Sequence, residues 1–293
     1  MDYRSAFVAV VGRPSSGKST LVNTICAHKV SIVSTVPQTT RNKVRGILTR
    51  AEGQLVFIDT PGFHHSEKKF NRYMREIVES ALEDVELVLY VIDTGRPPGL
   101  EEQELSELLA PMADRLVVAL NKVDLPAGHA DEYRYALAES VSEDRVCSVS
   151  ALTGTGVNEL LDTLFAMAPV GEQMYPEEYY TDQPPEFRVA EIIREQAITR
   201  TREEVPHAVY VDVADMEVSD DGDELWVRAF LVVERESQKG ILVGKGGAMI
   251  RSIRLSAEEG LTELFPYDIR LDLRVKVNPK WRRNDPLLRK LLE

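Results

Sequence analysis

An apolar, β-branched run at residues 6–11 stops at a glycine, and residues 12–19 then read Gly12, Arg13, Pro14, Ser15, Ser16, Gly17, Lys18 and Ser19. A glycine, four residues, then Gly-Lys-Ser is the spacing of a loop that joins a buried strand to a helix. Such a loop needs a strand covered on both faces and a helix to carry its second half. It therefore commits the first part of the chain to a layered α/β fold. The glycines let backbone N–H groups turn inward around an anion, and the helix beginning at Lys18 adds the positive end of its dipole. The ligand implied is a nucleoside triphosphate. Lys18 is expected at its β- and γ-phosphates, Ser19 on Mg²⁺ and Thr20 at the α-phosphate.

The rest of residues 1–170 agrees with that commitment. Short apolar runs at 55–58, 87–92, 116–120 and 146–149 read as buried strands. Helical patterns at 19–26, 70–82, 100–110, 132–140 and 157–167 fall between or after them. Alternating β and α predicts a mostly parallel sheet with helices on both faces, and 43–50 fits an antiparallel edge strand. Residues 171–185 hold Pro176, Pro184 and Pro185 without periodicity and read as an interdomain linker. Residues 186–293 follow a different order: a helix at 187–204, strands at 208–213 and 225–233, and an apolar segment at 241–243. Then come Gly244, Lys245, Gly246 and Gly247, a helix at 248–264 and a strand at 269–277. The order αββ-GxxG-αβ predicts a second, smaller α+β domain.

Three further motifs follow the glycine loop in order. Asp59, Thr60, Pro61 and Gly62 lie at the end of a strand. A carboxylate there faces Mg²⁺, and the Gly62 N–H can reach the γ-phosphate. Asn121, Lys122 and Asp124 follow the strand at 116–120. The Asp124 carboxylate can accept from guanine N1–H and N2–H₂, a donor pair that adenine lacks, so the set favours GTP over ATP. Asn121 is expected to fix the loop and reach N7, and the Lys122 stem to cover the base face. Ser150 and Ala151, after the last strand, are expected to offer a backbone N–H to guanine O6. The polar stretch 31–42 is where a mobile switch belongs. Thr40 is the expected second hydroxyl on Mg²⁺, with Thr39 as the alternative. The catalytic set read from these motifs is Lys18, Thr40 and Gly62. Phe63 follows Gly62 where a water-orienting glutamine would sit in Ras-like proteins, so slow intrinsic hydrolysis is expected. His64 and His65 fit ordinary switch-loop residues, since an adjacent pair matches no metal spacing.

Composition narrows the setting. Two cysteines, Cys26 and Cys147, share no metal-ligand spacing and make no disulfide framework, which favours a reducing cytoplasm. The opening residues lack a basic leader region, and no apolar run reaches the ~18 residues of a membrane helix. Any inner-membrane contact is expected to be peripheral. The net charge of −13 is uneven: residues 235–293 carry 13 Lys/Arg against 8 Asp/Glu. A basic segment on an acidic body points to a nucleic-acid partner, while a solvated charged surface explains the same balance.

The motifs in this order resemble the translation-factor-like P-loop GTPases. The later runs YPEEYYTD at 175–182, EIIRE at 191–195, PHAV at 206–209, LVVERE at 231–236 and SQKGILVGKGG at 237–247 resemble the Era family across essentially the whole chain. That resemblance implies a GTPase domain followed by a KH domain. It implies a protein that uses GTP/GDP and Mg²⁺, binds the 3′ end of 16S rRNA and acts on the 30S ribosomal subunit during its maturation; a monomer is expected. Ser15 and Ser16 depart from it, since the family's loop often reads Asn-Val there. The alternative is a GTPase switch whose C-terminal domain binds a membrane or cell-cycle protein.

In a KH domain the GxxG loop joins two helices and clamps the backbone of about four nucleotides. The resemblance therefore implies RNA contacts at Gly244, Lys245, Gly246 and Gly247. Ile241, Val243, Ile250 and Ile253 are expected to form an apolar groove. Arg251, Arg254, Lys276, Lys280, Arg282 and Arg283 are expected near phosphates. Trp281 fits base stacking and core packing equally.

Overall fold

The run before Gly12 forms β1 (Arg4–Val11), which lies inside a six-stranded sheet. The computed structural model describes residues 2–63, 69–126 and 128–292. They fall into two units: Met1–Val33, Thr40–Asp182 and Leu291–Glu293 in the first, Ser34–Thr39 and Gln183–Lys290 in the second.

In the first unit β1 is joined by β2 (Val44–Arg50), β3 (Gly53–Asp59), β4 (Leu87–Asp93), β5 (Leu116–Asn121) and β6 (Val146–Val149). The order is β2-β3-β1-β4-β5-β6, parallel except for the antiparallel edge strand β2. β3 and β4 are buried at every residue, as strands covered on both faces must be. Helices α2 (Lys69–Ala81), α3 (Leu100–Leu109) and α4 (Ala130–Leu137) send Val78, Leu105, Leu109, Tyr133 and Leu137 into one core with Ala9, Val11 and Ile92. α1 (Lys18–Cys26) packs on β2 and β3, and α5 (Val157–Met167) on β5 and β6. The chain leaves β1 for β3 on one side and β4 on the other, so the carboxyl end of β1 is the topological switch point where such sheets bind ligands.

The expected linker 171–185 is tied to this unit as far as Asp182. Buried Gln54 accepts the N–H groups of Met174 and Tyr175, each at 2.9 Å, and donates to the Tyr175 carbonyl at 2.9 Å. The Ile47 N–H donates to the Tyr180 carbonyl at 2.9 Å, and Tyr180 stacks on His28 at 4.1 Å. Proline removes donors from this segment, but the N–H groups of Met174 and Tyr175 and the carbonyls of Tyr175 and Tyr180 find partners on β2 and β3.

The second unit holds α6 (Pro185–Thr199), α7 (Val205–Ala208), β7 (Tyr210–Val218), β8 (Glu224–Val233), α8 (Glu236–Val243), α9 (Ala248–Thr262), β9 (Asp268–Val277) and most of α10 (Asp285–Leu292). β7 and β8 are antiparallel, whereas β8 and β9 are parallel. A parallel pair needs a crossover, and α8 and α9 supply it with the GxxG turn between them. The apolar segment at 241–243 is the last turn of α8, a helix whose first half is polar. The expected helix 187–204 stops at Thr199, and a separate turn, α7, starts with Pro206 near its beginning.

Candidate functional site

The glycine loop leaves β1 at the switch point and enters α1 at Lys18. Gly17 sits at φ +95, and a Cβ there would lie 2.3 Å from Asn121 Nδ2, so only glycine fits. Ser15 also takes a left-handed φ, 63. The first turn of α1 has no side-chain cap, which leaves its N–H groups for a ligand. Lys18 is buried and donates to the Gly12 and Arg13 carbonyls, each at 3.0 Å. Burial lowers its ammonium to about 8, opposed by the Asp59 carboxylate. Thr20 is half-buried in the same turn.

Three oxygen-bearing side chains meet beside that turn. Ser19 Oγ is 2.6 Å from Asp59 Oδ2 and 2.8 Å from Thr40 Oγ1. Asp59 is fully buried, and burial raises its carboxyl while the Ser19 hydrogen bond and Lys18 pull it down. Its second oxygen, Oδ1, has no hydrogen-bond partner among the described residues. A buried, half-satisfied carboxylate with two hydroxyls at hand is the hard-oxygen donor set that Mg²⁺ takes, with waters and phosphate completing the shell. Thr39, the alternative, is turned elsewhere: its hydroxyl is 2.7 Å from Ser34 Oγ and 2.7 Å from the Val36 carbonyl oxygen. The Thr39 carbonyl accepts from buried Arg194 at 2.7 Å, whose guanidinium is also held by Glu191 at 2.6 Å.

Thr60 is buried and anchors its strand end by donating to the Val10 carbonyl at 2.7 Å, and Pro61 is buried beside it. Gly62 lies against the glycine loop, since a Cβ on it would come within 2.5 Å of Pro14 Cα. Phe63 is buried under the Arg75 guanidinium, which is 5.2 Å from its ring centroid, so this position supplies no polar group. His64 and His65 lie outside the described residues.

The base loop is braced from two sides. Asn121 is buried at the end of β5; its Nδ2 donates to the Ser16 carbonyl at 2.8 Å and its Oδ1 accepts from the Ala151 N–H at 2.9 Å. Both ends of the amide thus bind protein, and Nδ2 carries a second N–H beyond the one given to Ser16. The Lys122 ammonium donates to the Ser15 carbonyl at 2.8 Å, while Asp124 is exposed. The N–H groups expected to reach guanine O6 are those of Ser150 and Ala151. The Ser150 N–H donates to the Thr155 carbonyl at 2.9 Å and the Ala151 N–H to Asn121, so both already have acceptors. The Arg13 side chain pairs with Glu102 at 2.8 Å, which leaves only its backbone for phosphate. Neither pairing shows in the motif, because the partners come from distant elements.

In the second unit Gly244 ends α8 and Gly247 begins α9, with Lys245–Gly247 as one turn between them. Lys245, Gly246 and Arg251 are exposed, and Val243 and Ile250 are half-buried. Ile241 is 50% exposed, and Leu255, which the sequence reading passed over, is 51% exposed. Ile253 is not a groove residue but fully buried core. Arg254 pairs with Glu258 at 2.7 Å, and Arg282 pairs with Glu234. Lys276 lies 3.1 Å from the Phe230 ring centroid. Trp281 is 1% exposed and donates to the Ala208 carbonyl at 2.8 Å, which settles it as core.

A phosphate loop at the switch point of a six-stranded sheet, followed by a module with its GxxG turn between two helices, defines the class: a P-loop GTPase carrying a KH domain. Residues 7–122 match the 50S ribosome-binding GTPase family and residues 204–282 the KH domain family. GTPase Era of Treponema denticola is 50% identical over 290 residues, covering 98% of this chain and 99% of that protein. GTPase Era of Treponema pallidum is 47% identical over 310 residues, covering 99% and 97%. Among solved structures, Era in complex with MgGDPNP and nucleotides 1506–1542 of 16S ribosomal RNA aligns with TM-score 0.93 and 32% identity, over 99% of this chain and 98% of that one. An Aquifex aeolicus Era variant bound to GDP and AlF4⁻ aligns with TM-score 0.92 and 33% identity, over 98% of each chain. The chain belongs to the Era family of GTPases.

Proposed function

We propose that this GTPase binds the 3′ end of 16S rRNA through its KH module and acts in maturation of the 30S subunit. The observation that carries this reading is the near-complete overlap with an Era that holds MgGDPNP and 16S nucleotides together. This chain has a donor set for the first ligand and an open GxxG turn for the second. Ser19, Thr40 and Asp59 would hold Mg²⁺, which supplies positive charge to the β- and γ-phosphate oxygens when bound. Lys18 exchanges its loop carbonyls for the same phosphates, and the Gly62 N–H supports the γ-phosphate. With Phe63 apolar, no side chain at that position orients the attacking water. Unstimulated turnover should therefore fall well below the ~10 per second of an ordinary enzyme.

The functional division follows GTPase 1–170 and KH-type module 186–293, with 171–185 connecting them. The hinge is taken to lie after Asp182, where the first unit ends. We take the protein to act as a cytoplasmic monomer. Any inner-membrane contact is peripheral, since among the described residues no helix is long and apolar enough to cross a membrane.

The test is GTP turnover with and without a short RNA copying the 3′ end of 16S rRNA. Stimulation that disappears in the Lys245→Asp, Gly246→Asp double variant supports both modules and their coupling. Turnover indifferent to RNA, with no RNA bound, favours a protein-binding second domain instead.

A further inference from the structure

Four charged side chains lie beneath the nucleotide loops. Arg13 and Glu102 are each under a tenth exposed, with Nη1 and Oε1 2.8 Å apart. Asp93, the last residue of β4, is 3% exposed. Its Oδ2 accepts from Lys122 Nζ at 2.8 Å, and the same ammonium donates to the Ser15 carbonyl at 2.8 Å. Asp93 Oδ1 accepts the Gly95 N–H at 2.9 Å, and Arg96 Nε stands 3.9 Å from Oδ2. Arg13 Nη2 lies 3.4 Å from the Asp93 carbonyl oxygen, which brings the two ion pairs together. Tyr133 borders the group, its phenol pushed up to about 12 by burial first and by the Glu102 carboxylate next.

A buried charge is costly unless it is paired, and a strand end in an α/β sheet is as well closed by an apolar residue. The placement of Asp93 gives it a different use. The phosphate loop hangs from β1 and the base loop from β5; these strands are not neighbours, and β4 separates them. Asp93 stands on the intervening strand, and one Lys122 ammonium joins it to both loops.

We propose that Asp93 is a positioning residue for guanine recognition. It holds the Lys122 ammonium against the Ser15 carbonyl, so that the Lys122 stem lies over the base and the base loop keeps register with the phosphate loop. Glu102 steadies the phosphate side of the same network through Arg13. The inference rests on the reading of residues 121–124 as the base loop.

The test uses the full chain with Asp93→Asn, Lys122→Met, the double variant of these two, and Asp124→Asn. GDP affinity, steady-state GTP hydrolysis and thermal melting are measured for each. Asp93→Asn keeps the side-chain shape but removes the charge facing the ammonium. Its GDP affinity and its KM for GTP should weaken about 10- to 100-fold, the scale of a hydrogen bond to a charged group, while kcat stays unchanged. The double variant should bind no more weakly than Lys122→Met, because Asp93 acts through that lysine. It should also melt above Lys122→Met, which strands a buried carboxylate. Wild-type KM in Asp93→Asn, or losses that multiply in the double variant, overturns the inference. Should Asp93→Asn not fold, a double variant that melts no higher than Lys122→Met overturns it as well. Unchanged GDP affinity in Asp124→Asn removes the base-loop reading and this inference with it. A weakened Asp124→Asn beside an unaffected Asp93→Asn removes the inference alone.

Discussion

Ser19 Oγ donates a 2.6 Å hydrogen bond to Asp59 Oδ2, joining the first turn of α1 to the end of β3. With Thr40 Oγ1 2.8 Å from the same hydroxyl, oxygen-bearing side chains far apart in the sequence converge, the set proposed to hold Mg²⁺. Ser19→Ala removes one ligand and leaves the loop geometry intact. GTP affinity in Mg²⁺ should fall by about 1.5–3 kcal/mol, the worth of a hydrogen bond to a charged group. Titration in chelator should show little difference from wild type. An equal loss with and without Mg²⁺ would contradict the assignment of Ser19 to the metal.

Asp124 is exposed at the base loop and has the carboxylate that adenine cannot satisfy. Asp124→Asn should weaken GTP by about 1.5–3 kcal/mol while melting like the wild type. Nucleotide competition measures the first and a thermal scan the second. Retained GTP affinity refutes the base-site assignment.

Asn121 braces the base loop through both ends of its amide, to Ser16 and to Ala151. Asn121→Ala leaves a buried carbonyl and a buried N–H without those partners, at roughly 1–3 kcal/mol each. Denaturant unfolding should show the stability loss in the apo protein, before any nucleotide is added. Full stability with only nucleotide binding impaired would mean that the amide serves the base and not the loop.

The open turn at Lys245 and Gly246 has no heavy atom within 4 Å of a Cβ built at position 246. Aspartate tolerates the left-handed φ of 58 found there. Lys245→Asp with Gly246→Asp should therefore fold, bind GTP normally and lose RNA through charge repulsion and a blocked approach. RNA affinity equal to wild type in a filter-binding or polarisation assay rejects the GxxG site.

Trp281 is core and hydrogen-bonded to the Ala208 carbonyl. In a Trp226→Phe background the remaining emission should be that of a buried indole and should not change when RNA is added. Quenching by RNA would return Trp281 to the binding surface. Trp281→Ala should cost about 3–5 kcal/mol of stability.

What could be read along the chain was what is contiguous in it. The β1–loop–α1 unit, the strand ends at Asp59 and Asn121 and the GxxG turn are each set by local spacing and by backbone preferences of a few residues. Short elements escaped. α8 is eight residues long, polar in its first half and interrupted by Gly240, so no apolar period develops over it. α10 is equally short. The connection 171–185 was legible as aperiodic, but its docking on Gln54 was not, since that depends on a buried side-chain amide of β3 that only the assembled sheet presents.

The sequence by itself determined the fold class, the order of the two modules and the nucleotide motifs, because hydrophobic period, glycine placement and charge are local properties. Only the tertiary structure decided that Thr40 rather than Thr39 stands with Ser19 and Asp59, that Ile253 and Trp281 are core, and that Ala151 donates to Asn121. The same holds for Arg13 with Glu102 and Lys122 with Asp93. Each of these choices joins residues from different strands and helices. Which partner a buried polar atom finds is fixed by packing of the sheet and its covering helices, where every unpaired group carries a desolvation cost that no local spacing encodes.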